Sequence, residues 1–307
     1  MQKLRIVFAG SPAAAVPSLQ RLIEGTHDVV TVVTREDSAQ GRKKLLTATP
    51  VASLAERAGI PIVKANRLAP VVDDLIALKA DLGVIVAYGG LIREPLLSAP
   101  RLGWINLHFS LLPRWRGAAP VQRALMAGDT ETGVAVFQLV PDLDAGPVFA
   151  LERHPIGRNQ TAGRLLDSLA ATGAEVLARV VDELAAGTAV AVEQTGEATL
   201  APKLTLSDGL IDWTRDAAVI DARIRGVTPE PGAFTLVDGE RLKVHEAAIA
   251  HDVVGLSPGR VEGRAGRLLV GTAGDALELL RVQPAGKRDM PAADWWRGRD
   301  GEPVVLG

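Results

Sequence analysis

At 307 residues, with 47% apolar content, the chain is long for one domain and rich enough for two packed cores. A formal charge of −2 excludes a global nucleic-acid signature, and zero cysteines exclude disulfides, thiolate nucleophiles and cysteine metal sites. The five histidines show no close metal-ligand spacing, and no run reaches the roughly 18 apolar residues of a membrane span.

The first residues read as strand, helix and strand, with Leu4-Arg5-Ile6-Val7-Phe8-Ala9-Gly10 lacking the basic and apolar segments of a leader. That start predicts a cytoplasmic protein. Val29-Val30-Thr31-Val32-Val33 is β-branched throughout, as in a parallel strand buried on both faces. Gly10-Ser11-Pro12 marks the first strand-to-helix turn, and the absence of G-x-G-x-x-G there argues against a dinucleotide cofactor. Residues 35–49 show no apolar periodicity before Leu45-Leu46 and carry Gly41-Arg42-Lys43-Lys44, either a solvated loop or a phosphate-gripping arm.

Helical patterns at 51–58 and 68–79 and strands at 60–63 and 82–87 follow. A strand through Asn106 and His108 comes next, then a helix over 120–126 and a strand over 132–140. An Ala/Leu-rich helix spans 161–186. This alternation predicts a three-layer α/β domain on a mostly parallel, Rossmann-like sheet over residues 1–188. Residues 189–207 read as a linker. From 208 to 307 a helix at 214–225 precedes five short strands separated by turns such as Asp238-Gly239 and Ala265-Gly266, which predicts a small OB-like β-barrel.

Asn106 and His108 are two residues apart on a strand, so both side chains leave the same face. Taken alone, such a pair also fits a hydrogen-bonded core. The Pro-Arg-Trp-Arg-Gly turn at 113–117 and the isolated Asp144 in a Gly/Pro-rich segment favour a site. Ser110 lacks a Gly-x-Ser-x-Gly elbow, so the group suits direct transfer rather than a covalent acyl-enzyme. The amide would stabilise an oxyanion, the imidazole would handle protons and the carboxylate would orient it.

Asn106-Leu107-His108, the run Ser110 to Pro120 (SLLPRWRGAAP) and Leu143-Asp144-Ala145-Gly146 resemble the signature of the methionyl-tRNA formyltransferase family. So do Phe8 to Pro12, Ala87-Tyr88-Gly89, Ala201-Pro202-Lys203-Leu204, Pro229 to Ala233 and Gln283 to Lys287. The Asn-x-His and distant Asp are common to the wider folate-dependent formyltransferases. The Arg-Trp-Arg-Gly extension is more specific to the tRNA enzymes. The resemblance implies formyl transfer from 10-formyltetrahydrofolate to the α-amine of initiator methionyl-tRNA, in translation initiation. Composition adds the expectation of a protein without a metal or a membrane span, and a monomer is expected.

It further implies that Asn106, His108 and Asp144 are catalytic, with Asn106 and a protonated His108 on the oxyanion. Ser110, Leu111, Leu112 and Pro113 would contact folate. Arg42, Lys43, Lys44 and Lys203 would contact tRNA, with Arg114 and Arg116 facing the incoming RNA. Further candidates in the C-terminal barrel are Lys243, Lys287 and Arg288. The family's basic insertion reads Gly-Arg-Gly-Lys-Lys, and Gly41-Arg42-Lys43-Lys44 is one Gly short of it. Phe109 stands where a small residue is common, and Leu200 replaces a frequent Tyr. The alternative substrate is a small amine such as a nucleotide-linked amino sugar.

Overall fold

The computed structural model describes residues 2–40, 45–299 and 304–307. These fall into two units, one holding 1–120, 131–155 and 166–201, the other 121–130, 156–165 and 202–307. The basic stretch Gly41 to Lys44, and with it Arg42, Lys43 and Lys44, lies outside the described residues.

In chain order the first elements are β1 (Arg5–Gly10), α1 (Val16–Ile23), β2 (Asp28–Thr34), β3 (Ser38–Gln40), β4 (Leu45–Thr47) and α2 (Pro50–Arg57). Next come β5 (Ile62–Lys64), α3 (Val72–Ala77), β6 (Leu82–Val86), β7 (Trp104–His108) and α4 (Pro120–Met126). Then follow β8 (Glu131–Gln138), β9 (Val148–Pro155) and α5 (Ala162–Ala186).

The first unit is built on a seven-stranded sheet in the order β5-β2-β1-β6-β7-β8-β9. β5 through β7 pair in parallel, while β8 is antiparallel to both β7 and β9. Every residue of β6 (LGVIV) is buried, which a parallel strand covered on both faces requires. Strand order reverses between β1 and β6, and β1, β6 and the next strand, β7, end side by side at Gly10, Val86 and His108. That edge is where open α/β sheets place ligands.

Two differences from expectation have physical causes. β9 is a strand that the sequence hides, because its pattern is half-exposed and starts beside Gly146-Pro147. The segment 35–49 is more than a loop: β3 and β4 form an antiparallel ribbon pairing Ser38 with Thr47 and Ala39 with Leu46. Leu45 and Leu46 are 65% and 77% exposed on it, so no core periodicity marks the strand.

The second unit adds α6 (Ala217–Gly226), β10 (Ala233–Val237), β11 (Glu240–Val254), β12 (Val261–Arg264) and β13 (Arg267–Val270). β14 (Asp275–Pro284), β15 (Met290–Pro291) and α7 (Ala292–Arg297) complete it. Its sheet is antiparallel, ordered β10-β11-β14-β13-β12 with β15 on β14. Residues 304–307 bond to both outer strands' flanks. Leu236 and Gly307 exchange amide bonds beside β10, while Leu306 donates to Gly259 and Val261 to Val304 beside β12. The sheet is thereby closed into a barrel. Its interior holds Val244, Leu268, Val270, Leu277, Leu279 and Val282, capped by Ile220 and Ile224 from α6. The one buried indole there, Trp213, donates to Thr235 Oγ1 at 3.0 Å.

Between β6 and β7, Gly83 pairs with Trp104. A Cβ on Gly83 would lie 2.0 Å from the Trp104 ring, which is fully buried and donates through Nε1 to Leu96 O at 2.8 Å. Gly83→Ala is therefore expected to destabilise the first unit by about 1–3 kcal/mol through overpacking. Urea unfolding followed by tryptophan fluorescence measures this, and an unchanged midpoint contradicts it.

Candidate active site

β7 carries Trp104, Asn106 and His108 on one face, with Asn106 opposite Phe137 and His108 opposite Ala135 across β8. The Phe137 ring meets the imidazole edge-on, with centroids 6.4 Å apart. His108 is buried at 6% exposure, whereas Asn106 is half-buried. The Asn106 carboxamide takes no hydrogen-bond partner among the described residues, which leaves its N–H groups for a ligand.

The chain then folds over itself. Ser110 is fully buried and its hydroxyl donates to Arg114 O at 2.6 Å, closing the turn through Leu111, Leu112 and Pro113. Phe109 and Leu112 are buried and Leu111 and Pro113 half-buried. The Ser110 hydroxyl is thus committed within the turn. Trp115 adopts φ +62, and its carbonyl meets His108 Nε2 at 2.9 Å. A carbonyl only accepts, so Nε2 carries the proton and the neutral ring presents a bare Nδ1.

Asp144 faces that nitrogen, with Oδ2 at 3.8 Å from Nδ1. The same oxygen accepts the Gly117 amide at 2.7 Å. Asp144 holds φ +46, a left-handed conformation that Asp tolerates better than most residues. Two residues on, a Cβ at Gly146 would stand 1.8 Å from Gln138 O, so only glycine lets the loop lie this close to β8. The structure thus brings together Asn106, His108 and Asp144, which the sequence separates by up to 38 positions.

Burial is the main cause of a His108 pKa below the ordinary 6.5, opposed by the Asp144 charge and by the Trp115 carbonyl. The neutral ring is the resting form, so the protonated His108 expected from sequence arises only once the ring has accepted a proton. His27 offers a contrast. It is also buried, but Nδ1 accepts from Leu4 N at 3.2 Å and Nε2 meets Asp182 Oδ1 at 3.1 Å, so both nitrogens are spent on structure.

Sequence reasoning missed the strand-like segment that braces this loop. Trp115 N donates to Thr199 Oγ1 at 2.9 Å, Arg116 N to Thr199 O at 2.8 Å, and Ala201 N to Arg116 O at 2.7 Å. The Arg116 guanidinium reaches Gln194 Oε1 through Nη2 at 2.7 Å and Nε at 3.2 Å. It is thus engaged inside the first unit, while Arg114 is exposed and lies 5.5 Å over the Trp115 ring. Lys203 is exposed near the start of the last segment of the second unit. Lys243, Lys287 and Arg288 are also exposed.

The site thus sets an amide donor and a buried imidazole at the C-terminal end of β7 against a carboxylate on the β8–β9 loop. Comparison with known proteins bears on the class. Residues 4–181 match the family described as Formyl transferase, and residues 203–300 match Formyl transferase, C-terminal domain. The methionyl-tRNA formyltransferase of Clavibacter sepedonicus is 60% identical, over 98% of this chain and 99% of that protein. That of Thermobifida fusca is 47% identical, over 97% and 98%. An N-formyltransferase from Helicobacter canadensis, solved with folinic acid and dTDP-3-aminofucose, shares the fold with a TM-score of 0.71. It is 15% identical and covers 92% of this chain and 99% of its own. The chain belongs to the methionyl-tRNA formyltransferase family.

Among the described residues, no helix is long and apolar enough to cross a membrane.

The His108 environment yields a direct test. Its ring resonances are expected to titrate below pH 6.5, and Asp144→Asn should lower that midpoint further by removing the charge that favours the imidazolium. Because an unfolded chain takes up this proton first, the depressed value costs stability as pH falls below 6.5, and nothing above it. A midpoint at or above 6.5 in the NMR titration would contradict the assignment.

Proposed function

We propose that this chain transfers the formyl group of 10-formyltetrahydrofolate to the α-amine of initiator methionyl-tRNA, through Asn106, His108 and Asp144. The single observation that carries the roles is the bare His108 Nδ1 held 3.8 Å from Asp144 on the face that also presents the unengaged Asn106 amide. The relatives at 47–60% identity favour the tRNA substrate over an amino sugar.

In this reading the neutral amine attacks the formyl carbon, a C–N bond forms, and the carbonyl electrons move to oxygen. Asn106 Nδ2–H donates to that oxyanion. The nitrogen's proton passes to His108 Nδ1, directly or through water. The resulting imidazolium faces Asp144, whose negative charge stabilises it, and adds positive charge beside the oxyanion. Collapse breaks the bond to the folate nitrogen, which takes the proton from His108 as it leaves. No external oxidant or metal is needed for the balance.

The turn Ser110 to Pro113 supports a folate wall made of backbone and apolar side chains: the Ser110 hydroxyl is spent, while Leu111 and Pro113 keep partial exposure. A folate co-substrate agrees with the folinic acid in the Helicobacter canadensis structure. We assign tRNA contacts to Arg42, Lys43, Lys44 and Lys203 on their family match. The boundaries proposed are 1–188 for catalysis, 189–207 for the linker and 208–307 for the barrel. We propose that the protein acts as a monomer in the cytoplasm, where a charged-tRNA substrate is used.

Asn106→Ala is expected to lower the formylation rate at saturating substrates by about 100- to 1,000-fold, the usual loss for one oxyanion donor. Steady-state assay with charged initiator tRNA checks this, and near-normal turnover removes Asn106 from the mechanism. Arg42→Ala should raise KM for the tRNA while leaving folate binding unchanged. Equal losses toward both would count against a tRNA arm, and formylation of a nucleotide amino sugar instead of the tRNA would favour the alternative substrate.

A further inference from the structure

We infer that Gln194 is a positioning residue for the transfer reaction: it holds the Asp144 loop against the Arg116 turn and thereby sets the carboxylate's distance from His108. The inference rests on the roles proposed above for His108 and Asp144.

Gln194 lies in a segment with little regular structure, yet every polar atom of its side chain is used. Its Nε2 donates to Asp144 O and to Gly146 O, both at 2.8 Å. Its Oε1 accepts both bonds from the Arg116 guanidinium. One side chain thus ties the two loops that flank the imidazole: residues 144–146 on one side, residues 115–117 on the other. No charged group could do the same. A carboxylate has no N–H for the two carbonyls, and an ammonium has no acceptor for Arg116.

The tied conformations need support. Asp144 and Trp115 both sit at positive φ, a strained conformation for non-glycine residues that persists only where the surroundings over-determine it. Trp115 is pinned through Thr199 and His108, whereas Asp144 is pinned through Gly117 and Gln194. The neighbouring backbone anchors Gln194 itself, since Val192 exchanges amide bonds with Val148 and Thr199 to Ala201 pair with Arg116. Removing the two amide donors takes away the anchor on the Asp144 backbone and leaves the Gly117 amide to hold the carboxylate, so the backbone can relax toward negative φ and carry the carboxylate from the imidazole. A displacement of about 1 Å at a catalytic group can cost on the order of 100-fold in rate.

The test compares Gln194→Ala, Gln194→Glu and Asp144→Asn in the full chain. The readouts are kcat, KM for each substrate, thermal midpoint, and the His108 NMR titration. Both Gln194 variants are expected to lower kcat by roughly 10- to 100-fold, the range found for residues that orient a catalytic ligand, with KM for folate within about two-fold. Gln194→Ala should also move the His108 midpoint downward, toward that of Asp144→Asn, whereas in Gln194→Glu the added carboxylate charge opposes that shift. Gln194→Glu removes the donors and keeps the acceptor for Arg116, while its carboxylate adds a negative charge beside the Asp144 loop, so Gln194→Ala is the cleaner variant for the titration.

Wild-type turnover in Gln194→Glu overturns the proposal, since the carbonyl bonds would then be dispensable. In Gln194→Ala, a loss of kcat and thermal midpoint with an unmoved His108 titration also overturns it, in favour of a merely structural role. If Asp144→Asn itself turned over normally, the catalytic reading would fail whatever Gln194 does. If only Asp144→Asn were impaired, that reading would stand and the Gln194 inference alone would fall.

Discussion

The Asp144 carboxylate stands close enough to the His108 ring to favour a proton on it, while burial of the ring opposes that proton. At 3.8 Å, with the oxygen already accepting the Gly117 amide, the charge acts on a ring that burial keeps neutral. Hydrogen bonding to the carboxylate comes from backbone, and the ring's tautomer is dictated by the Trp115 carbonyl. The remaining architecture serves that spacing. β7 fixes the imidazole at the end of an interior strand of the sheet, β8 and β9 carry the loop that bears Asp144, and residues 192–201 clamp the two turns together.

This arrangement divides rigid from adjustable parts. The imidazole and carboxamide stand on a strand hydrogen-bonded on both sides, so their relative placement is set by pleat geometry. Asp144 stands on a loop whose backbone is strained, so its placement is set by surrounding bonds. A proton acceptor on a rigid strand and its partner on a braced loop let the carboxylate respond to charge on the ring without moving the ring. The division also explains why the Ser110 hydroxyl and the Arg116 guanidinium are directed inward. Each stabilises a turn that would otherwise be free to drift from the imidazole.

Much of this was legible in the sequence where burial imposes a pattern. Val29 to Val33 and Leu82 to Val86 announce parallel strands, and the two-residue spacing of Asn106 and His108 places them on one face. Asp144 stood out as an isolated acid in a Gly/Pro-rich segment and by motif resemblance, but its approach to His108 no local rule could reveal. β9 escaped because its half-exposed pattern follows a glycine-proline break, and β11, expected as a short strand, runs 15 residues from Glu240 through polar His251 and Asp252 to Val254. Gln194 escaped for a deeper reason. Its contribution lies in bonds to distant backbone carbonyls, which any polar residue in a loose segment can make and which leave no periodicity. The protonation state of His108 was equally hidden, since it depends on burial and on a carbonyl seven residues away.

The closure of the second unit by residues 304–307 has a consequence for how the protein behaves outside its native state. Those four residues occupy the hydrogen-bonding edges flanking both β10 and β12. If they detach, two open strand edges appear at once on the same sheet, each able to pair with another chain. The peptide strip thus works as a gatekeeper against edge-to-edge association. Partial unfolding that begins there would expose a template for aggregation before the barrel's apolar interior has been lost.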